Sequence, residues 1–185
     1  MTAMHASTPA VTTSAATTAV PKRVPPDPAW KSVLECATLE VFEMMAATRL
    51  TPYVPPAPAQ HVQSVARTKK QSGLTAMVGM AGVLCGITTI ECSSDTAIRL
   101  ASKMAGDEAA KDPNIVNDAL GELCNMVAGN FKAQIASLAD HCMLSVSTVI
   151  TGENYALQSA EPSESLNIQL AFEGSQIRVS LITQS

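Results

Sequence analysis

One stretch of the sequence places ionisable and amide side chains at helical spacing. It runs from Asp112 to Gln134 and reads DPNIVNDALGELCNMVAGNFKAQ. Each residue of an α-helix advances about 100° around the axis, so Asp118, Glu122 and Asn125 fall on one face of the predicted helix. The amide can donate and accept hydrogen bonds, and the carboxylates can accept charge-assisted ones. This face could therefore engage a polar or charged partner.

The same helix carries two interior glycines, Gly121 and Gly129. Each costs about 1 kcal/mol of helix stability relative to alanine. Both flank the polar row, where a missing Cβ lets another molecule approach the backbone closely, so they favour a docking surface. The alternative is an ordinary solvated helix face with two tolerated glycines, because most exposed Glu and Asn side chains have no special role. The geometry alone leaves both open.

The cysteines and histidines do not indicate a metal site or a disulfide framework. The five cysteines are odd in number and contain no C-x-x-C pair, and the three histidines lack a ligand spacing. We therefore expect free thiols in a reducing cytosol, a cytoplasmic location and no metal ligands. A Cys/His nucleophile pair stays open, although no motif marks one.

Charge and hydropathy argue against two classes of partner. The net charge is −4 and no basic cluster exceeds Lys69-Lys70 in size, which disfavours nucleic-acid binding through phosphate neutralisation. The stretch between Lys70 and Glu91 has no charge, as a membrane span would require, but four glycines interrupt it. We interpret it as two buried strands and a glycine turn, and we expect a soluble protein.

The elements that must position the polar row form one domain. Residues 1–26 are rich in Ala, Thr, Ser and Pro and predict a disordered tail, and residues 27–185 predict the domain. Asp27 and Asp112 are predicted helix caps, Gly106 a helix stop and Gly174 a hairpin turn. The predicted elements are a helix over 30–50, strands over 61–70, 73–81 and 86–92, helices over 93–106 and 112–134, and strands over 142–152, 166–173 and 176–183.

The order of these elements is α-βββ-αα-βββ, which indicates a weak duplication. Long helices packed on a mostly antiparallel sheet define an α+β two-layer domain. Opposite the polar row, the third helix carries an apolar stripe that predicts its contact with the sheet. The stripe consists of Val116, Leu120, Leu123, Val127, Phe131 and Leu138.

The segment DALGELCNMVAGNFK resembles the helix motif of the CheC/CheX family of chemotaxis phosphatases. The motif is D/S-x-x-x-E-x-x-N followed by a glycine four residues later, and the matching positions are Asp118, Glu122, Asn125 and Gly129. The segment VGMAGVLCGITTIECSSDTAIRLASKMAG is similar to the family's glycine hairpin, strand and short helix. The resemblance covers the chain from about residue 30 to its end.

The CheX branch is the better match. CheC proteins usually carry the motif on both long helices, whereas the first helix here offers Glu35 followed by Thr38 and Glu40 followed by Glu43. The resemblance therefore implies a single site. Flagellar switch proteins share the fold but lack a complete site, and the Glu122 and Asn125 pair argues against that branch.

The resemblance implies an enzyme that hydrolyses the aspartyl phosphate of a CheY-like response regulator. Asn125 would hold the attacking water in line with phosphorus, and Glu122 would pair with a lysine of the regulator. Asp118 and Gly129 would shape the contact surface. The phosphatase needs no cofactor of its own, because the regulator already holds Mg²⁺.

Two further expectations follow from the resemblance. CheX-type proteins pair as dimers, so we expect a homodimer. The alternative function is a scaffold that binds a phosphorylated regulator or a flagellar motor component through the same helix face without hydrolysing it. A small-molecule enzyme fits poorly, because the sequence shows no glycine-rich phosphate loop and no nucleophile-base pair.

Overall fold

The computed structural model describes residues 27–55, 73–152 and 163–184, and these residues form an α+β domain with two layers. Its helices pack on one face of a seven-stranded sheet in which every described pairing is antiparallel, which confirms the predicted fold class. The helices are α1 (Trp30–Ala46), α2 (Ser94–Ala105), α3 (Pro113–Ala133) and the short α4 (Ala136–Ala139), with one 3-10 turn at Ala109–Lys111. The strands are β1 (Thr51–Pro52), β2 (Gly73–Gly82), β3 (Gly86–Ser93), β4 (Cys142–Leu144), β5 (Thr148–Gly152), β6 (Ser163–Phe172) and β7 (Ser175–Gln184).

The strand order shows the duplication that the sequence predicts. It runs β1-β6-β7-β3-β2, and both β4 and β5 pair with the outer side of β2. If β1 is swapped with the β4 and β5 edge, β2 with β6, and β3 with β7, the order of strands across the sheet stays the same but runs in the opposite direction. The centre of this exchange lies at the β3–β7 pair, near the point where Thr89 faces Ser180. Consistently, α1 contacts β6 in one half and α3 contacts β2 in the other.

The predicted helix boundaries follow from local capping. The Asp112 side chain accepts a hydrogen bond from the Asn114 backbone N–H at 2.9 Å, and Pro113 occupies the first helical position of α3. Gly106 ends α2 with φ at 93°, a conformation that favours glycine. Asp27 caps the turn before α1 rather than the helix, because its carboxylate accepts from the Ala29 N–H at 2.8 Å and α1 begins one residue later.

Four features of the predicted elements were wrong. α1 ends at Ala46, and α3 ends at Ala133, so the buried Leu138 lies in α4 and not on the α3 stripe. The predicted connector after α1 contains β1, which pairs with β6 at the sheet edge. The predicted strand at 142–152 is interrupted between β4 and β5. The predicted tail, 1–26, and the predicted strand, 61–70, lie outside the described residues.

Helix α3 is held on three sides. Its apolar stripe is buried against the sheet from Val116 to Phe131, and it contacts both α1 and α2. Near its C-terminus, the Phe131 ring meets the Trp30 ring of α1 edge-on with centroids 6.0 Å apart. The Asn130 amide donates to the Glu40 carboxylate of α1 at 2.8 Å, and this hydrogen bond lowers the Glu40 pKa. The outward face of α3 is therefore fixed in position by the fold.

None of the helices in the described ranges is long and apolar enough to cross a membrane.

Candidate functional site

The structure brings the four predicted site residues together on the outward face of α3. Asp118 and Glu122 are exposed, and Asn125 and Gly129 are half-buried. The helical geometry therefore agrees with the row predicted from the sequence, with Asn125 one turn beyond Glu122.

Glu122 and Asn125 are free to act on a partner. Within the described residues, no hydrogen bond or ion pair engages either side chain. Their helix is capped, buried on its inner face and tied to α1, so its backbone is ordered while these two polar groups stay unsatisfied. Such pre-positioned groups can bind a substrate without first breaking internal contacts.

The two glycines of α3 have different structural roles. A Cβ at Gly129 would have the Leu144 Cδ1 atom, at 3.9 Å, as its nearest neighbour outside the helix, so the space beside Gly129 is open. A Cβ at Gly121 would lie 2.7 Å from the Ser147 Oγ atom. Gly121 is buried, and the interpretation of Gly121 as a docking glycine was wrong: it is small because the edge strand of the same chain lies against it.

The sheet edge beside Gly121 is formed by β4 and β5, and it contains a β-bulge at Ser145–Ser147 that sequence reasoning missed. β2 pairs with β4 up to Leu144 and with β5 from Thr148, so three residues on this edge stand opposite two on β2. The Ser145 backbone N–H donates to the Gly79 carbonyl at 2.9 Å, and the Ser145 Oγ accepts from the Gly79 N–H at 2.9 Å. The serine hydroxyl thus replaces a missing ladder contact.

A sequence signal for the bulge exists. Leu144 and Val149 both lie beside α3 although they are five positions apart, whereas residues on one face of a regular strand are an even number of positions apart. This change of phase within a predicted strand indicates an inserted residue. Its position beside α3 could be known only from the sheet pairing.

The buried thiols are unsuited to nucleophilic chemistry. Cys124, on the inner side of α3, donates to the Ala76 and Thr88 carbonyls, and burial raises its pKa to about 12. Burial also raises the pKa of Cys92 to about 12 and raises that of Cys142. Thiols that stay protonated near neutral pH are poor nucleophiles.

The described residues also contain no group of three or more His, Cys, Asp or Glu side chains placed to hold a metal ion.

The fold and the α3 row agree with the resemblance to chemotaxis phosphatases that the sequence carries. The family model described as "Chemotaxis phosphatase CheX" matches residues 74–171, just over half of the chain, and includes all four site residues. The chain therefore belongs to the CheX family.

Individual proteins agree with this assignment. The chain is 30% identical over 87 residues to "CheY-P phosphatase CheX" of Thermotoga maritima, which covers 46% of this chain and 56% of that protein. The aligned region thus spans little more than half the length of this curated protein.

Solved structures share the fold. The chain matches one from the crystal structure of the CheX-CheY-BeF3-Mg²⁺ complex from Borrelia burgdorferi with a TM-score of 0.64 and 23% identity, covering 84% of this chain and 98% of that one. Chemotaxis protein CheX from Vibrio vulnificus matches with a TM-score of 0.66 and 17% identity, covering 84% of this chain and 96% of that one.

Proposed function

We propose that this protein dephosphorylates the aspartyl phosphate of a CheY-like response regulator. The observation that carries the proposal is the internally unpaired pair of Glu122, which is exposed, and Asn125, which is half-buried, one turn apart on a rigidly held helix of a CheX-family chain. The name of the Thermotoga maritima relative, a CheY-P phosphatase, and the Borrelia burgdorferi complex of CheX with CheY support this choice of substrate.

Asn125 is the catalytic residue in this proposal. Its amide enters the regulator's active site, where it accepts and donates hydrogen bonds that hold a water molecule in line with phosphorus. Phosphoryl transfer depends mainly on positioning and charge stabilisation, so an amide without useful basicity can still accelerate it. The proton of the attacking water is therefore not assigned to Asn125.

Glu122 positions the complex. Its carboxylate pairs with a lysine beside the regulator's phosphorylated aspartate, which fixes the pose through a charge-assisted hydrogen bond. Since Glu122 has no ion-pair partner within the described residues, it can make this contact without first breaking an ion pair inside the protein.

Asp118 and Gly129 shape the contact surface. Asp118 is exposed one turn before Glu122, and the open space beside Gly129 lets the regulator approach the α3 backbone. The Mg²⁺ required for the chemistry belongs to the regulator, and the proposal assigns no metal ligand to this chain.

The test is to mix the full-length protein with each phosphorylated CheY-like regulator of the same organism and to time phosphate loss. We expect at least one regulator to lose its phosphate faster than it does alone. A regulator that binds with unchanged phosphate lifetime would instead establish the scaffold alternative.

A further inference from the structure

The Ser145–Ser147 bulge runs along α3 at the level of the catalytic pair. Ser147 lies against Gly121, and Leu144 lies nearest to Gly129. The helix rises about 12 Å between the two glycines, and three strand residues span about 10 Å, so the two segments run side by side. Asn125 is midway between the glycines and is therefore level with the bulge.

Val146 is the apolar side chain that this bulge presents to solvent. It is 87% exposed, the largest exposure among the large hydrophobic residues in the described ranges. Its backbone is fixed, because the Ser145 hydroxyl donates to the Val146 carbonyl at 2.8 Å and Ser147 packs on α3. Bulges commonly re-aim a side chain next to a functional site, whereas a regular strand would continue the alternation.

A partner that reaches Asn125 comes close to the bulge that carries Val146. A stable protein–protein interface buries about 800 Å² on each partner, a patch roughly 30 Å across, and the bulge lies well within that distance of Asn125. The outward row of α3 offers such a partner only polar side chains and glycine at Asp118, Glu122, Asn125 and Gly129. Interfaces generally place apolar contacts at their centre, so an exposed apolar side chain on the neighbouring edge of the sheet would complement this polar row.

We propose that the Ser145–Ser147 bulge is the second side of the docking site and that Val146 is its apolar contact with the phosphorylated regulator. This rests on the function proposed above. The matching feature of the regulator is an apolar surface patch beside its phosphorylated aspartate. Val146 contributes to affinity and selects among regulators, and it has no part in the chemical step.

The test compares Val146→Asp with Val54→Asp in the full-length protein. Val54 follows β1 at the opposite edge of the sheet and is 80% exposed, so it is a matched control of the same residue type. The probe is the regulator that the wild-type protein dephosphorylates fastest, loaded with beryllofluoride and Mg²⁺ for binding and phosphorylated for rates.

We expect Val146→Asp to weaken binding about tenfold, because a buried valine contact is replaced by a carboxylate. Its maximal rate at saturating regulator should stay within about twofold of wild type, and Val54→Asp should change neither quantity. Val146→Thr keeps the shape and should lose a smaller part of the affinity.

The failures of the two proposals are distinguishable. Wild-type affinity in Val146→Asp, with the maximal rate still strongly lowered in Asn125→Ala, would overturn the docking role and leave the proposed function standing. A halved mass by light scattering with unchanged affinity would also overturn it, because the bulge would then belong to a self-association surface. If no regulator is bound or dephosphorylated by the wild-type protein, both proposals fall together.

Discussion

Helices α1 and α3 occupy matching positions in the two halves of the domain, yet they present different surfaces. When the buried Leu34, Ala37 and Val41 of α1 are aligned with Leu120, Leu123 and Val127 of α3, the inner faces correspond. On the outward faces the same alignment places Cys36 opposite Glu122, Leu39 opposite Asn125 and Glu43 opposite Gly129.

The outward residues of α1 are occupied by contacts within the chain. The Cys36 thiol donates to the Glu40 carboxylate at 3.3 Å, and Glu43 pairs with Arg49 at 3.4 Å. Leu39 is partly buried against the core. The corresponding pair on α3 has no such contacts within the described residues.

This difference shows how one scaffold supports two roles. The inner stripe that packs a helix on the sheet is required in both halves, because each half must bury its apolar surface. The outward face is under no such requirement, so one copy can form internal contacts while the other keeps polar groups available to a partner. The following substitutions test whether function belongs to α3 alone.

The largest expected effect is that of Asn125→Ala on the chemical step. Loss of water positioning should lower the maximal dephosphorylation rate by on the order of 10²-fold or more, with little change in affinity for the regulator. Phosphate release at varied regulator concentration measures both. Asn114→Ala in the first turn of α3 is the matched control, and a wild-type maximal rate in a folded Asn125→Ala protein would refute the catalytic assignment.

Glu122→Ala should impair both binding and rate, whereas Glu43→Ala on α1 should impair neither. Removing one member of a charge pair that becomes desolvated on docking costs about 2 kcal/mol or more, roughly 30-fold in affinity. Titration of the beryllofluoride-loaded regulator and single-turnover rates separate the two terms. Equal losses in both variants would mean that general surface charge is responsible.

The two glycines of α3 should respond oppositely to leucine. Gly129→Leu should keep the fold, raise helix stability by up to about 1 kcal/mol and weaken regulator binding about tenfold by blocking close approach. Gly121→Leu should lower the stability by about 1–3 kcal/mol, because the new side chain overpacks against Ser147 and Val149. Thermal unfolding and regulator titration check these outcomes, and a destabilised Gly129→Leu protein would contradict the open space observed there.

The smallest effect concerns the thiols, which should not contribute to activity. Alkylation of the folded protein at pH 8 should modify the exposed Cys36, while Cys92 and Cys124 react only after unfolding because burial raises their pKa values to about 12. The Cys36 reaction should be slower than that of an ordinary exposed thiol, since its hydrogen bond to Glu40 raises its pKa. Peptide mass mapping identifies the modified sites, and the dephosphorylation rate should be unchanged. The predicted cytosolic state with five free thiols would be contradicted by a reproducible native disulfide.

The sequence by itself determined the main helices, the central strands and the site row. Local signals are sufficient for these features: the Asp112 cap and Pro113 start α3, the apolar period fixes its inner face, and the spacing of Glu122 and Asn125 places them outward. The resemblance carried by Asp118, Glu122, Asn125 and Gly129 then indicated the family that the chain belongs to.

Only the tertiary structure decided which neighbours those residues have. Gly121 and Gly129 are equivalent in sequence terms, but the bulged edge strand presses on one and leaves the other open, because pairing with β2 sets where Ser147 and Leu144 meet α3. The exposure of Val146 beside Asn125 likewise depends on a register between strands that are far apart in the chain. Helical periodicity is a local property, whereas contacts between a helix and a distant strand are fixed only when the whole sheet assembles.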